Sequence, residues 1–100
     1  MSIKVLIKRK FPKEKETEKE LLKCIREIRS LVPHQQGFIS SEYLKPIDDR
    51  NEITTVSNWF SFEDWRIWLE SEARKQIQSK IDNIQGVTSE YTVYRNMKTR

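Results

Sequence analysis

The sequence predicts an α+β domain with the element order β-α-β-β-α-β, a four-stranded antiparallel sheet carrying two helices on one face. Three observations lead there. An alternating run opens the chain at Ile3, and two segments, around Leu21–Val32 and Phe62–Ile84, space their apolar residues in steps of three or four. Between and after them lie three more runs with strand character, and right-handed crossovers then place both helices on the same side. The chain has 100 residues, enough for a single core.

In the first strand Ile3, Val5 and Ile7 alternate with Lys4, Leu6 and Lys8, and the strand ends near Lys10. Leu6 on the otherwise polar face implies that this face too is partly covered. Pro12 ends the ladder by removing a donor. The charge-rich run Lys13–Glu20 reads as the solvated start of a helix, with Thr17 and Glu20 at capping-box spacing. Leu21, Leu22, Ile25, Ile28 and Val32 mark its buried face, and Pro33 stops it.

Phe38 to Lys45 reads as the second strand, with Phe38, Ser40, Glu42 and Leu44 on one face and Ile39, Ser41, Tyr43 and Lys45 on the other. Pro46, Asp48, Asp49 and Asn51 supply a turn. The third strand, Glu52 to Phe60, is rich in β-branched residues. In the next segment Ser61 and Ser71 both stand at N-cap positions, so a short helix, a bend near Ser71 and a longer helix to about Asn83 are expected. The stripe is Phe62, Trp65, Leu69, Ala73, Ile77, Ile81 and Ile84, with Trp68 beside it. Gly86 breaks this helix, Val87 to Arg95 form the fourth strand, and Asn96–Arg100 reads as a frayed tail.

Charged residues make up 34% of the chain and hydrophobic ones 36%, so the core of a single copy is thin. A sheet with helices on one face and a second chain on the other relieves that shortage, the second chain meeting the face that bears residues such as Leu6 or Tyr43. The net charge of +4 is spread among acids. Lys4, Lys8, Arg9, Lys10 and Lys13 form a basic N-terminal edge, with Lys98 and Arg100 at the other end, and this reads as a solvated rim rather than a nucleic-acid surface. Cys24 is the only cysteine and cannot form an internal disulfide. With no signal-like N-terminal run and no stretch near the ~20 apolar residues needed to span a bilayer, a cytoplasmic protein is expected.

Several chemistries lack their residues. His34, the only histidine, follows a helix and reads as an exposed cap, without Cys, Asp or Glu at metal-ligand spacing around it. No G-x-S-x-G elbow exists, and two glycines cannot build a phosphate-cradling loop. The third strand lacks the Gly/aromatic signature of RNA-recognition domains. What stands out is three tryptophans, Trp59, Trp65 and Trp68, within ten residues, which either fill the core or wall a hollow between helices and sheet.

The patterns G-F-I-S-S-E-Y-L (Gly37–Leu44), N-W-F-S-F-E-D-W (Asn58–Trp65) and W-L-E-S-E-A-R (Trp68–Arg74) resemble the antibiotic biosynthesis monooxygenase domain family, over nearly the whole chain. The resemblance implies a ferredoxin-like βαββαβ fold, pairing of two chains through the open sheet face into a dimeric α/β barrel, and work without metal or organic cofactor. It implies an oxygenase acting on a small aromatic or quinol-type compound. Asn58, Trp68 and Tyr91 are then the catalytic candidates, and Phe38, Trp59, Trp65 and Trp68 the ligand-binding ones. A non-catalytic dimeric module that binds a small ligand or only provides assembly is the alternative. Heme-degrading members are a third possibility. They use an asparagine on the first strand, a tryptophan in the second helix and a histidine further along it. Trp68 matches the tryptophan, but Lys8 and Gln78 stand where the asparagine and the iron ligand belong.

Overall fold

The computed structural model describes residues 2–97, so the basic residues Lys98 and Arg100 and the end of the expected tail lie outside the described residues. The elements are β1 (Ile3–Lys10), α1 (Lys15–Leu31), a 3-10 turn (Val32–His34), β2 (Phe38–Leu44), β3 (Glu52–Trp59), α2 (Phe62–Leu69), α3 (Glu72–Asp82) and β4 (Thr88–Arg95). They form one antiparallel sheet of order β2-β3-β1-β4, the ferredoxin-like arrangement.

Register decides which residues meet. Ile3, Val5, Ile7 and Arg9 lie opposite Trp59, Ser57, Thr55 and Ile53 on β3. On the other side they face Arg95, Val93, Tyr91 and Ser89 on β4. Directly opposed residues share a face, so this set is the helix-covered one. Its packing is divided. Phe11, Leu21, Cys24, Ile25, Ile53, Ile77, Ile81 and Ile84 make one cluster; Ile3, Val5, Val32, Trp59, Trp65 and Trp68 make the other. Burial in the first cluster pushes the Cys24 thiol up, favouring its neutral form. The folded state therefore loses stability to the unfolded one as the pH rises past the ordinary thiol range.

The expected break in the second helical segment is present, and Ser71 makes it. Its hydroxyl donates to the Trp68 carbonyl (2.7 Å), closing α2, and accepts from the Arg74 amide (3.3 Å), opening α3. Ser61 caps α2 by accepting from the Asp64 amide at 3.1 Å. Ser71→Ala is expected to lower stability by about 1 kcal/mol, the usual worth of such a cap. A urea midpoint measured beside that of Ser71→Asp, which keeps the cap, checks this.

The structure corrects six expectations. α1 begins at Lys15, with Glu14 in the extended N-cap conformation, and Thr17 is buried in the first turn instead of capping it. Ala73 is exposed and Arg74 takes its inward place, because Arg74, Ile77 and Ile81 keep the three-four step better than Ala73 does. Phe62, expected on the buried stripe, is half exposed. In β2 an irregularity between Phe38 and Ser40 leaves Ile39 without a partner, so Phe38 joins the face of Ser41 and Tyr43 and opposes Trp59. Tyr43, expected toward a second chain, lies under the helices, because it pairs with the inward-facing Thr55. Arg9 does not belong to the basic rim: it continues the Ile3-Val5-Ile7 alternation and is 2% exposed.

Gly37 enters β2 with φ +82°, the left-handed region that glycine tolerates, and a Cβ there would overlap the Asp64 side chain. It lets the start of β2 lie against the first turn of α2. The opposite sheet face carries Leu6, Val56, Leu44 and Tyr94 among Lys4, Lys8, Glu42 and Glu90; Leu44 and Tyr94 are exposed. No described helix covers it. Among the described residues no helix is long and apolar enough to cross a membrane.

Candidate functional site

Strand alternation and helix spacing converge on one enclosed space where the two core clusters meet. Ile7 and Arg9 of β1, Ser41 and Tyr43 of β2, and Thr55, Ser57 and Trp59 of β3 form its floor. Ile25 and Ile28 of α1, Val32, Trp65 and Trp68 of α2 and Arg74 of α3 form its roof. The cavity holds about 30 Å³. One end is apolar, with the three indoles, and the other is polar, with two guanidiniums and two hydroxyls.

At the apolar end Trp59 is fixed twice. Its Nε1 donates to Ser57 Oγ at 3.0 Å, and Phe38 meets its ring edge-on at 5.4 Å between centroids. Trp65 and Trp68 descend from α2 three residues apart, both buried.

The polar end is built around Gln78. Its Oε1 accepts from Arg9 Nη2 at 2.9 Å and from the Tyr91 hydroxyl at 3.1 Å, with Arg74 Nη2 at 3.5 Å. Arg74 Nη2 also donates to the Tyr91 hydroxyl (2.5 Å), and its guanidinium lies 5.4 Å from that ring's centroid. Gln78 Nε2 is held in turn by Asp82 Oδ1 at 2.8 Å. Both arginines are deeply buried, Arg74 at 5% exposure. Burial pushes the Arg9 guanidinium down, with Arg74 acting the same way, while Tyr91 and Tyr43 oppose the shift. Arginine remains charged nonetheless. Arg9 Nε, Tyr43 Oη and Thr55 Oγ1 are buried and have no hydrogen-bond partner.

Of the residues singled out from sequence, Trp59, Trp65 and Trp68 meet at the cavity. Phe38 stands behind Trp59 at the sheet edge. Tyr91 is 37% exposed and closes the polar end from β4 through Arg74 and Gln78. Asn58 lies across the sheet, its Nδ2 donating to Ser40 Oγ at 3.0 Å, because Ser57 and Trp59 point inward and a strand alternates. Its amide is thus set apart from the indoles. Lys8 also faces the open side, and the Gln78 amide is committed to its neighbours. His34 is exposed at the end of the 3-10 turn. Arg9, Arg74, Tyr43, Thr55 and Ser57 were not singled out as site residues. The signal was present for both arginines, each being in phase with an apolar stripe.

An antiparallel sheet roofed by helices on one face, with a small hollow between them walled by indoles and cations, defines a two-layer α+β domain. The sequence pattern of the antibiotic biosynthesis monooxygenase family matches residues 2–80, and the chain belongs to that family. No curated protein matches it. Solved structures do. SnoaB, a cofactor-independent oxygenase from Streptomyces nogalater, superposes with a TM-score of 0.82 at 14% identity, over 98% of this chain and 95% of its own. A conserved protein from Methanosarcina mazei Go1 gives 0.86 at 15% identity, over 97% and 94%. Rv0793 from Mycobacterium tuberculosis gives 0.82 at 12% identity, over 97% of both chains. At such identities these likenesses speak for the fold.

Proposed function

We propose that this chain is the subunit of a homodimeric, cofactor-independent oxygenase acting on a small aromatic or quinol-type compound in the cytoplasm. The observation that carries the reading is the meeting of Trp59, Trp65 and Trp68 around one buried hollow, in a chain of this family. Indole walls suit a flat ring and keep it dry. In such a reaction the substrate gives up a proton and then an electron to dioxygen, and the two radicals combine at a ring carbon. Loss of water from the resulting peroxide leaves a carbonyl. One oxygen atom stays on that carbon, and the other departs as water with the carbon's single hydrogen and the proton first taken from the substrate hydroxyl. The protein's part is to exclude water and to favour the anion, which the cationic end of the cavity does electrostatically.

At about 30 Å³ the cavity is well below the roughly 150 Å³ that holds benzene in engineered apolar sites, so the lining opens when a ring enters. Ser41 and Tyr43, half-buried on the edge strand β2, form the wall with most room to yield. The small volume also favours a second reading, a non-catalytic dimeric module that takes a small ligand or serves assembly. Homodimerisation through the open sheet face is supported by Leu6, Val56, Leu44 and Tyr94 there, and the cytoplasmic placement by a lone, unpaired Cys24.

Oxygen uptake with a panel of hydroquinones decides between the two. Turnover by the wild type, falling at least tenfold in Trp68→Ala while the fold persists by circular dichroism, is expected of the oxygenase. Absence of turnover with every compound leaves the binding module.

A further inference from the structure

We propose that the polar end of the cavity is a carboxylate seat, and that the natural guest of this protein is a small organic acid held by Arg9 and Arg74. The inference deepens the oxygenase reading, since it makes the substrate an aromatic acid, but its evidence is separate from the indoles.

Two guanidiniums, 2% and 5% exposed, share the acceptor Oε1 of Gln78. Among the described residues neither pairs with a carboxylate: the ion pairs of the chain join Lys45, Arg50, Arg66 and Lys80 to acids elsewhere, all at the surface. Their partners are the neutral Gln78 and Tyr91. Asp82 stops one step short, bonding the Gln78 amide from the solvent side. Buried cations are ordinarily compensated, and uncompensated ones are among the more destabilising features a core can have. Two like charges in one pocket add mutual repulsion. A chain that keeps both is built for an anion that is not part of it.

The orphan polar atoms point the same way. Arg9 Nε and the hydroxyls of Tyr43 and Thr55 are buried without partners, and all three residues line the cavity together with Arg74. Each is a donor. A guanidinium fork matches the two oxygens of a planar carboxylate, and the hydroxyls add donors for the remaining lone pairs. The carboxylate takes this polar end and the rest of the acid is directed toward Trp59, Trp65 and Trp68, the lining opening to admit it.

The probes are benzoate and acetate, with benzamide as the neutral counterpart of benzoate and inorganic phosphate as the other common oxyanion. Calorimetric titration and thermal unfolding of the intact chain are the readouts. Benzoate is expected to bind saturably and raise Tm, benzamide to do neither, and phosphate to bind more weakly than benzoate. Arg9→Gln and Arg74→Gln are each expected to weaken benzoate at least tenfold, as loss of a charge-assisted bond implies. Without any anion, each variant should be no less stable than the wild type, because it removes an uncompensated charge. A merely structural arginine would show the opposite. The idea is overturned by benzamide binding as well as benzoate, by preference for phosphate, or by no saturable carboxylate binding up to about 10 mM, an affinity too weak to matter. Comparison of benzoate with benzamide on the wild type tests the seat itself, and destabilisation of a variant counts only against the uncompensated-charge argument. Benzoate binding without turnover of any quinol keeps the seat and removes the oxygenase. Turnover of hydroquinones without any saturable benzoate binding removes the seat and keeps the oxygenase.

Discussion

Trp59→Ala is expected to lower the stability of the folded chain by about 3–5 kcal/mol, the range for truncating a buried aromatic. Against a total of roughly 5–15 kcal/mol for a domain, the variant will be barely folded. Trp59 is 1% exposed, stands across from Ile3 on β1 and Phe38 on β2, and packs in one cluster with Trp65 and Trp68. Its removal would enlarge an existing hollow and leave the Ser57 hydroxyl without its indole partner. Trp59→Phe, which keeps most of the ring but not the N–H, is expected to cost less. Urea unfolding by circular dichroism, which does not depend on the deleted fluorophore, reads both. An alanine variant within about 1 kcal/mol of the wild type would show that this ring is not a main support of the cavity floor.

Leu6→Lys is expected to convert a dimer into monomers. Leu6 lies mid-strand on the uncovered sheet face, opposite Val56 on β3 and Thr92 on β4, between Lys4 and Lys8. A further lysine places a third cation in line and, in a dimer joined through this face, would have to be desolvated against the partner, which is unfavourable. Since the residue is only partly covered within one chain, folding should survive. Sedimentation velocity of the wild type should give a single dimeric species at micromolar concentration, and the variant a monomer with unchanged circular dichroism. A wild type that sediments as a monomer ends the dimer proposal, whatever the variant does.

Much of this architecture could be read in the residues, for physical reasons. Alternation at Ile3-Val5-Ile7 and the three-four spacing through Trp65, Ile77 and Ile81 are periodic signals that tertiary structure preserved. Ser61 and Ser71 announced themselves as caps because a short hydroxyl side chain has few better uses at a helix start. The cationic half of the site was hidden for the converse reason. Arginine is so often solvated that its phase goes unweighed, yet Arg9 is the fourth member of an inward-facing row and Arg74 the first of one. The place of Phe38 could not be foreseen, because the irregularity at Ile39 changes the side on which every earlier residue emerges. Asn58, by contrast, could have been placed from alternation alone once Trp59 was taken as buried.

The two-residue interruption at Glu70 and Ser71 does more than bend the chain. At about 100° per residue, an unbroken helix would turn Arg74 some 120° away from the side on which Trp68 emerges. Restarting the spiral at Ser71 resets that phase, so the indoles and the guanidinium look into the same hollow from separate segments. Each segment can then be rewritten without rotating the other. The indole-bearing and the guanidinium-bearing segments become independently variable, joined by a single hydroxyl that serves as end stop for one and starting block for the next.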